Sequence, residues 1–193
     1  MGLTVTSPAA TRDLTTCVEV KRELGLDDDG EDGFLAALIA QASSAIEAEC
    51  RRRFARESVR ETAIGRGRSL LMLTLTPVVA VESVRVDGID TAEWQILSAD
   101  AGLLHRRDGW KKGPIEIAYT GGFALPGDPD RTLPAAIERA CIETVKAWFA
   151  GCDRDPSLND ESAGGYRASY VPMRGLPEAA RDLLMPWRRP GFA

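Results

Sequence analysis

Only one histidine, His105, is available in this chain as a catalytic base or an imidazole metal ligand. It lies in the segment Leu-Leu-His-Arg-Arg, which has the pattern of a β-strand. A nucleophilic triad needs a base beside its nucleophile, and a zinc site needs cysteines or histidines at short spacing. The four cysteines are instead far apart, at Cys17, Cys50, Cys141 and Cys152. We therefore predict no catalytic site and no enzymatic activity.

The remaining motifs that resemble ligand sites are also explained by local structure. Glycine pairs at 121–122 and 164–165 match neither the P-loop nor the dinucleotide-binding pattern, and Gly-Arg-Gly-Arg at 65–68 is typical of a hairpin turn. The acidic run that begins at Asp27 has Leu38 at the twelfth position, where a calcium loop requires glutamate. We expect neither a cofactor nor a bound metal.

Composition and charge indicate a folded protein that is not built mainly to bind nucleic acid. Hydrophobic residues make up 44% of the chain and charged residues 27%, which is ordinary globular usage. The net charge is −5, whereas a DNA-reading module is usually basic. No cationic leader with a following apolar segment and no run of 18 apolar residues is present, so we expect a protein made in a bacterial cytoplasm, without membrane contact.

Helical periodicity appears in four segments. Thr16 and Glu19 have the spacing of a capping box at the start of a first helix, which Gly25 ends. A third helix begins at Pro134, and a short fourth helix covers 177–185. The second and longest helix is predicted from one apolar stripe: Leu35, Leu38, Ile39, Ala42, Ile46, Cys50 and Phe54.

Between residues 58 and 120 the pattern changes to short runs of β-branched and aromatic residues separated by turns such as Asp87-Gly88. Because the connections are short, we expect the strands to pair mainly antiparallel. The predicted strands are Val59–Ile64, Leu70–Leu75, Val78–Val86, Trp94–Leu97, Leu103–Arg106 and Ile115–Tyr119.

These elements predict an α+β fold. We expect a helical bundle of two N-terminal helices, one long central helix and a short C-terminal helix, with an inserted antiparallel β segment. The predicted parts are the N-terminal helices at 1–57, the β segment at 58–120, the third helix at 121–151, and a flexible loop, strand, docking helix and tail at 152–193.

The order of these elements, with several phrases within them, resembles a known family. The phrases are IEAECRRRF, LTPVVAVESVRVDG, AGLLHRRDGW, IEIAYTGGF, LPAAIERACIETVKAWF and LPEAARDLLMPWRRP. Together they cover almost the whole chain and resemble the head-tail connector, or adaptor, proteins of tailed bacteriophages, including prophage and gene transfer agent relatives.

The resemblance implies a structural role at the head-tail junction of a virion or phage-like particle. Identical subunits would form a ring, expected to be twelve-fold, beneath the portal protein and extend the DNA channel. The ring would bind the next tail component, a stopper or tail terminator, while DNA passes without sequence-specific binding. No cofactor and no membrane partner are implied.

Within this interpretation, the polar stretch after Gly151 leads to a candidate interface. Residues 152–164 have few apolar groups to bury, so we expect them to move, and a strand is predicted at Tyr166–Val171. That strand either reaches an adjacent subunit or the portal, or folds back on its own domain. Aromatic residues and arginine are enriched at interfaces, so the candidate contacts are Tyr166, Tyr170, Trp187, Arg188 and Arg189.

Two other functions remain open from the sequence. A small enzyme with an unfamiliar site would be indicated by titratable groups that converge in a cleft. A DNA-binding or packaging accessory protein would need a basic face despite the negative total charge. The residues available for such a face are Arg51, Arg52, Arg53, Arg66, Arg68, Arg106, Arg107, Lys111 and Lys112.

Overall fold

The structure of the chain is a computed structural model that describes residues 2–152, 160–163, 166–169 and 175–189. Within these residues the chain divides into two units. The β unit comprises the residues up to Arg12 together with Arg52–Leu133. The helical unit comprises Asp13–Arg51 and the described residues from Pro134 onward.

The predicted helical bundle with an inserted β segment is wrong. In the described residues, ten strands in three sheets accompany four α-helices, and eight of the strands make up the β unit. One of them, β1 (Gly2–Ser7), is absent from the predicted elements because its short polar sequence is ordered by pairing with residues 58–62. The β unit is therefore built from two stretches of the sequence, one before the first two helices and one after them. The helices and most of the strands do occupy separate units, as in α+β proteins, although the helical unit also includes a short hairpin.

The larger sheet of the β unit is antiparallel throughout, as predicted. Its strands are β1, β2 (Glu57–Gly65), β4 (Val78–Val86), β5 (Ile89–Asp90) and β8 (Gly113–Gly121), in the order β1-β2-β8-β4-β5. β2 and β8 pair over their full lengths, with Glu57 opposite Gly121 and Gly65 opposite Gly113. A second sheet contains β3 (Leu70–Met72), β6 (Gln95–Ser98) and β7 (Leu103–His105), in the order β3-β7-β6.

The core of the β unit follows from the alternation of side chains along its strands. Alternate residues of β2 and β8 are buried, which is the period-two pattern of a sheet with one face against a core. The largest contributions come from aromatic and branched side chains, each worth roughly 1.5–3 kcal/mol when fully buried. They include Val59, Leu104, Trp110, Ile115, Ile117 and Tyr119.

A buried carboxylate fixes the chain that follows β3. Glu61 is 1% exposed and accepts hydrogen bonds from the Tyr119 hydroxyl at 2.6 Å, the Thr74 hydroxyl at 2.6 Å and the Thr74 amide at 2.9 Å. The Leu75 amide donates to the Tyr119 hydroxyl at 2.8 Å. Burial, together with the bond to Glu61, raises the pKa of Tyr119 far above its ordinary value. The predicted strand Leu70–Leu75 ends early at Met72: the Leu73 amide donates to the Gly102 carbonyl, and the amides of Thr74 and Leu75 donate to side chains.

The helical unit contains α1 (Cys17–Leu24), α2 (Asp32–Cys50), α3 (Ala135–Cys152) and α4 (Glu178–Leu184), with a 3-10 helix at Met185–Trp187. It also contains an antiparallel hairpin of β9 (Asp160–Ala163) and β10 (Tyr166–Ser169). The predicted apolar stripe of α2 is buried from Leu35 to Cys50, whereas Phe54 lies beyond the helix in the β unit. α2 contacts α3 where Ser43 Oγ lies 3.6 Å from Cys141 Sγ.

The predicted capping of α1 is confirmed in part. The Glu19 amide donates to Thr16 Oγ1 at 3.3 Å, and Gly25 ends the helix in the left-handed region. The Glu19 carboxylate pairs with Arg22 instead of returning to the Thr16 amide. One backbone donor of the first turn is therefore satisfied by the cap residue.

The hydrogen bonds of Glu61 predict that a change from glutamate to glutamine lowers the free energy of unfolding much more at this position than at an exposed one. Glu61→Gln places amide hydrogens among three hydrogen-bond donors, so we expect it to lower the free energy of unfolding by about 1–3 kcal/mol. Glu82→Gln is the control, because Glu82 is exposed and accepts only from the Thr120 hydroxyl. That variant should stay within about 0.5 kcal/mol of wild type in denaturant unfolding. Equal losses in the two variants would contradict this account.

Candidate interaction surfaces

Three of the five predicted interface residues are consecutive in the sequence and lie in the last described stretch of the chain. Trp187, Arg188 and Arg189 follow α4 at the end of the helical unit. Tyr166 opens β10, while Tyr170 lies outside the described residues. Residues 175–189 make up the C-terminal segment.

The C-terminal segment is held on the helical unit by an apolar side and by α2. Leu176, Ala180 and Leu184 are buried, and Leu184 is fully inaccessible to solvent. The last carbonyls of an α-helix have no donor in their own helix. At the end of α2 the Arg189 amide supplies one, donating to the Cys50 carbonyl at 3.1 Å.

A side-chain pair reinforces this attachment. The Arg188 guanidinium pairs with the Glu49 carboxylate one residue before the end of α2. Both side chains are about one third exposed, so the pair contributes at most about 1 kcal/mol. Glu49 was not among the predicted residues, and no local sequence pattern links it to Arg188, since the two are far apart in the sequence.

One side of the C-terminal segment faces solvent. Met185 is 62% exposed and Arg188 is also exposed, whereas Trp187 is half-buried. An exposed methionine beside an aromatic residue and an arginine is a composition enriched in the contact regions of protein interfaces. Met185 was not among the predicted interface residues, because an isolated methionine before proline carries no periodic signal.

The predicted strand Tyr166–Val171 corresponds to β10, which covers Tyr166–Ser169. It pairs with β9 of its own chain, with Tyr166 opposite Ala163 and Ser169 opposite Asp160. Within the described residues, the strand therefore has a partner in its own chain, and whether this hairpin contacts a neighbouring subunit stays a prediction. β9 lay within the stretch expected to move, since its sequence Asp-Glu-Ser-Ala has low strand propensity.

Ion pairs join the first and third helices of the helical unit. The Glu23 carboxylate of α1 pairs with Arg139 at 2.9 Å and with Lys146 at 3.2 Å, both on α3. Hydrogen bonds from Lys146 and Arg139 hold the pKa of Glu23 below its ordinary value. Their charges are largely solvated, so they orient the helices more than they stabilise them.

The nine predicted basic residues do not form one face. Arg52 donates to the Thr76 carbonyl at 2.7 Å, Arg53 pairs with the buried Glu57 at 3.2 Å, and Arg106 pairs with Glu93 at 3.1 Å. Arg51 ends α2 in the helical unit. The other five are exposed and lie in two neighbouring loops of the β unit: Arg66, Arg68, Arg107, Lys111 and Lys112.

His105 lies beside a shallow groove of about 700 Å³ in the β unit. Its Nδ1 is 3.5 Å from the Gln95 side-chain nitrogen, and Glu93 at the same groove is engaged by Arg106. The remaining lining residues include no serine, threonine, cysteine or lysine that could act as a nucleophile. The groove therefore does not support the enzyme alternative.

Metal clusters and membrane-spanning helices are both absent from the described residues. No group of three or more His, Cys, Asp or Glu side chains is placed to hold a metal ion in the part of the chain that the structure describes. None of its described helices combines the length and apolar character needed to cross a membrane.

Known proteins share both the sequence pattern and the fold. Residues 13–190 match the family model described as head completion protein. A chain from the neck of an empty GTA particle computed with C6 symmetry has a TM-score of 0.66 at 19% identity, covering 100% of this chain and 98% of that chain. No curated protein matches the chain.

Two other solved structures give the same result. A chain from the neck of a native GTA particle computed with C12 symmetry has a TM-score of 0.64 at 17% identity. A chain from the virion of a native gene transfer agent particle has a TM-score of 0.62 at 18% identity. Each comparison covers 100% of this chain and 98% of the other. At such identities the similarity shows a shared fold.

Substitutions at two adjacent residues should show whether the buried side chains, and not the exposed ones, hold the C-terminal segment on the helical unit. Leu184→Ala removes a fully buried side chain, so we expect a loss of about 2–5 kcal/mol and fast amide hydrogen exchange across residues 178–187. Met185→Ala changes a mainly exposed side chain and should leave that exchange within about threefold of wild type. Similar exchange in the two variants would show that burial of Leu184 does not hold the segment.

The ion pairs of Glu23 predict a dependence on pH. Because the folded-state pKa is lowered, their contribution is present above the ordinary glutamate pKa and is lost as the pH falls through the folded-state value. We expect Glu23→Gln to reduce the fall in unfolding free energy on acidification below about pH 4.3. Glu31→Gln, at an exposed position, is the control and should retain the wild-type profile in denaturant titrations. Parallel profiles for wild type and Glu23→Gln would contradict the assignment.

Proposed function

Because the chain belongs to the head completion protein family, we propose that it is a structural subunit of the head-tail connector of a phage or phage-like particle. The family match over residues 13–190 carries the proposal, since it includes nearly all of both units. The family resemblance predicted from the sequence is confirmed by that match. The proposed role is structural and involves no catalysis.

In this proposal, identical subunits form a closed ring of twelve around the DNA channel. A closed ring with one subunit type requires two different contact surfaces on each subunit. The helical unit offers exposed large apolar side chains on two separate elements, at Val18 of α1, 72% exposed, and at Met185. The C6 and C12 symmetries of the GTA necks that share the fold are compatible with such an arrangement.

The ring has a different partner on each side. On the head side it binds the portal protein through the C-terminal segment, with Trp187, Arg188 and Arg189 among the contacts, together with Tyr166 and Tyr170. On the tail side it binds a stopper or tail terminator. This assignment is supported by the exposed Met185 and Arg188, which leave a side of the docked segment uncovered in the described chain.

The mass of the purified protein in solution, alone and mixed with the portal protein encoded nearby, tests the proposal. We expect a complex in which several copies of the chain are bound to each portal ring. A protein that stays monomeric with the portal at micromolar concentrations of both would contradict the connector role.

A pair of charge insertions tests the portal-binding surface. Met185→Glu introduces a charge at the centre of the proposed contact, and we expect portal affinity to fall at least about tenfold. Ile89→Glu is the control, because Ile89 is 72% exposed in β5 of the β unit, and its affinity should remain within about threefold. Equal losses of portal affinity in the two variants would contradict the assignment of this surface. The connector role would still be tested by the mass measurement.

A further inference from the structure

Five exposed cationic residues of the β unit are concentrated in two loops, the β2–β3 turn and the loop between β7 and β8. We call them the basic cluster. Its members are Arg66, Arg68, Arg107, Lys111 and Lys112. None of them makes an ion pair or side-chain hydrogen bond with any residue that the structure describes.

The backbone holds the two loops against each other. The Gly67 amide donates to the Trp110 carbonyl at 2.8 Å, and the Trp110 amide donates to the Arg68 carbonyl at 2.8 Å. A Cβ atom at Gly65 would lie 1.9 Å from the Lys111 carbonyl oxygen, so the close approach requires glycine there. The proximity of the cations is therefore imposed by ordered main chain rather than by chance side-chain positions.

The register of the larger sheet places charges opposite one another. Gly65 pairs with Gly113, so Arg66 continues one strand while Lys112 precedes the other. Like charges at opposing positions repel and lower stability. Two carboxylates, Asp87 and Asp108, lie in or beside the loops, which leaves five cations against two anions, a local excess of +3 in a chain of net charge −5.

We propose that the basic cluster binds the phosphate groups of duplex DNA, independently of base sequence. Arginine presents a planar fork that matches phosphate oxygens, and three of the five residues are arginines. Nonspecific DNA binding is generated by such contacts, which release condensed counterions from the duplex. The ligand is thus a polyanion with regularly spaced phosphates, and no base recognition is required.

An acidic protein surface is the alternative ligand for the basic cluster. The composition of the loops disfavours this alternative. The contact regions of protein interfaces are depleted in charge and contain large apolar side chains at their centre. In residues 65–69 and 107–112 the sole large apolar side chain is Trp110, which is 1% exposed. The exposed part of the loops is consequently charged or small throughout.

DNA binding by the basic cluster goes beyond the connector role and does not depend on it. Isolated protein and a duplex are sufficient for the test, without portal or particle. If the chain failed to bind DNA, the connector proposal would be unaffected. If it failed to bind the portal protein, DNA binding by the basic cluster would still be tested by titration of a duplex.

The test is fluorescence anisotropy of a labelled 30-base-pair duplex titrated with the full chain between 50 and 200 mM salt. If all five cations contact phosphates, the affinity should fall roughly five hundredfold over this range, from a slope of about −0.9 per contact. The variant with all five cluster residues changed to Gln should bind at least about tenfold more weakly at 50 mM salt, with a slope near zero. Two duplexes of unrelated sequence should give equal affinities.

A charge-matched control uses five other exposed cations, changed to Gln together: Arg22, Arg51, Arg60, Arg85 and Arg181. This variant has the same net charge as the cluster variant and should retain the wild-type slope. Circular dichroism should confirm that both variants are folded. No wild-type binding up to 100 µM protein (an order-of-magnitude limit set by nonspecific affinities) would overturn the proposal. Equal losses in the two variants, or equal competition by polyglutamate and DNA, would also overturn it.

Discussion

The end of α2 needs hydrogen-bond donors that its own helix cannot provide, and the C-terminal segment, which packs mainly on α3, supplies one of them. The amide of Arg51 serves the carbonyls of the preceding turn, and the amide of Arg189 serves that of Cys50. The second bond joins the end of α2 to the C-terminal segment, which follows in the sequence only after residues 52–133 and α3. With Leu184 buried beside it, the segment lies against the unit and leaves Met185 exposed. The proposed portal contact depends on this placement.

Features determined by neighbouring residues could be predicted from the sequence. The Thr16 cap and the Gly25 terminator of α1 follow local stereochemistry, and β4 has the predicted bounds, Val78–Val86. The apolar stripe of α2 is likewise encoded by its spacing. The resemblance that led to the family also consists of contiguous phrases and their order, so it required no knowledge of tertiary contacts.

Features determined by distant partners could not be predicted in this way. β1 is a strand because it pairs with β2, and Thr74 and Leu75 lie outside the sheet because their amides bond to Glu61 and Tyr119. The helical-bundle prediction failed for this reason. Among the proposed interface residues, arginine and tryptophan were chosen by residue type, whereas Met185 could be proposed only from its exposure in the structure.

The total charge does not describe how charge is distributed on this protein, because contacts between distant residues decide which charges lie close together. A net charge of −5 is a sum over the whole chain, whereas binding responds to the local potential at a surface. The pairing of Gly65 with Gly113 concentrates cations that are more than 40 residues apart in sequence, as Arg66 and Lys112 show. An acidic connector subunit and a local DNA contact are therefore compatible.

The most direct measurement of the proposed connector role is electron microscopy of particles produced without this chain. The account predicts DNA-containing heads that lack tails, together with separate tails, and restoration of joined particles when the chain is supplied. Particles with heads and tails joined normally in the absence of the chain would contradict it.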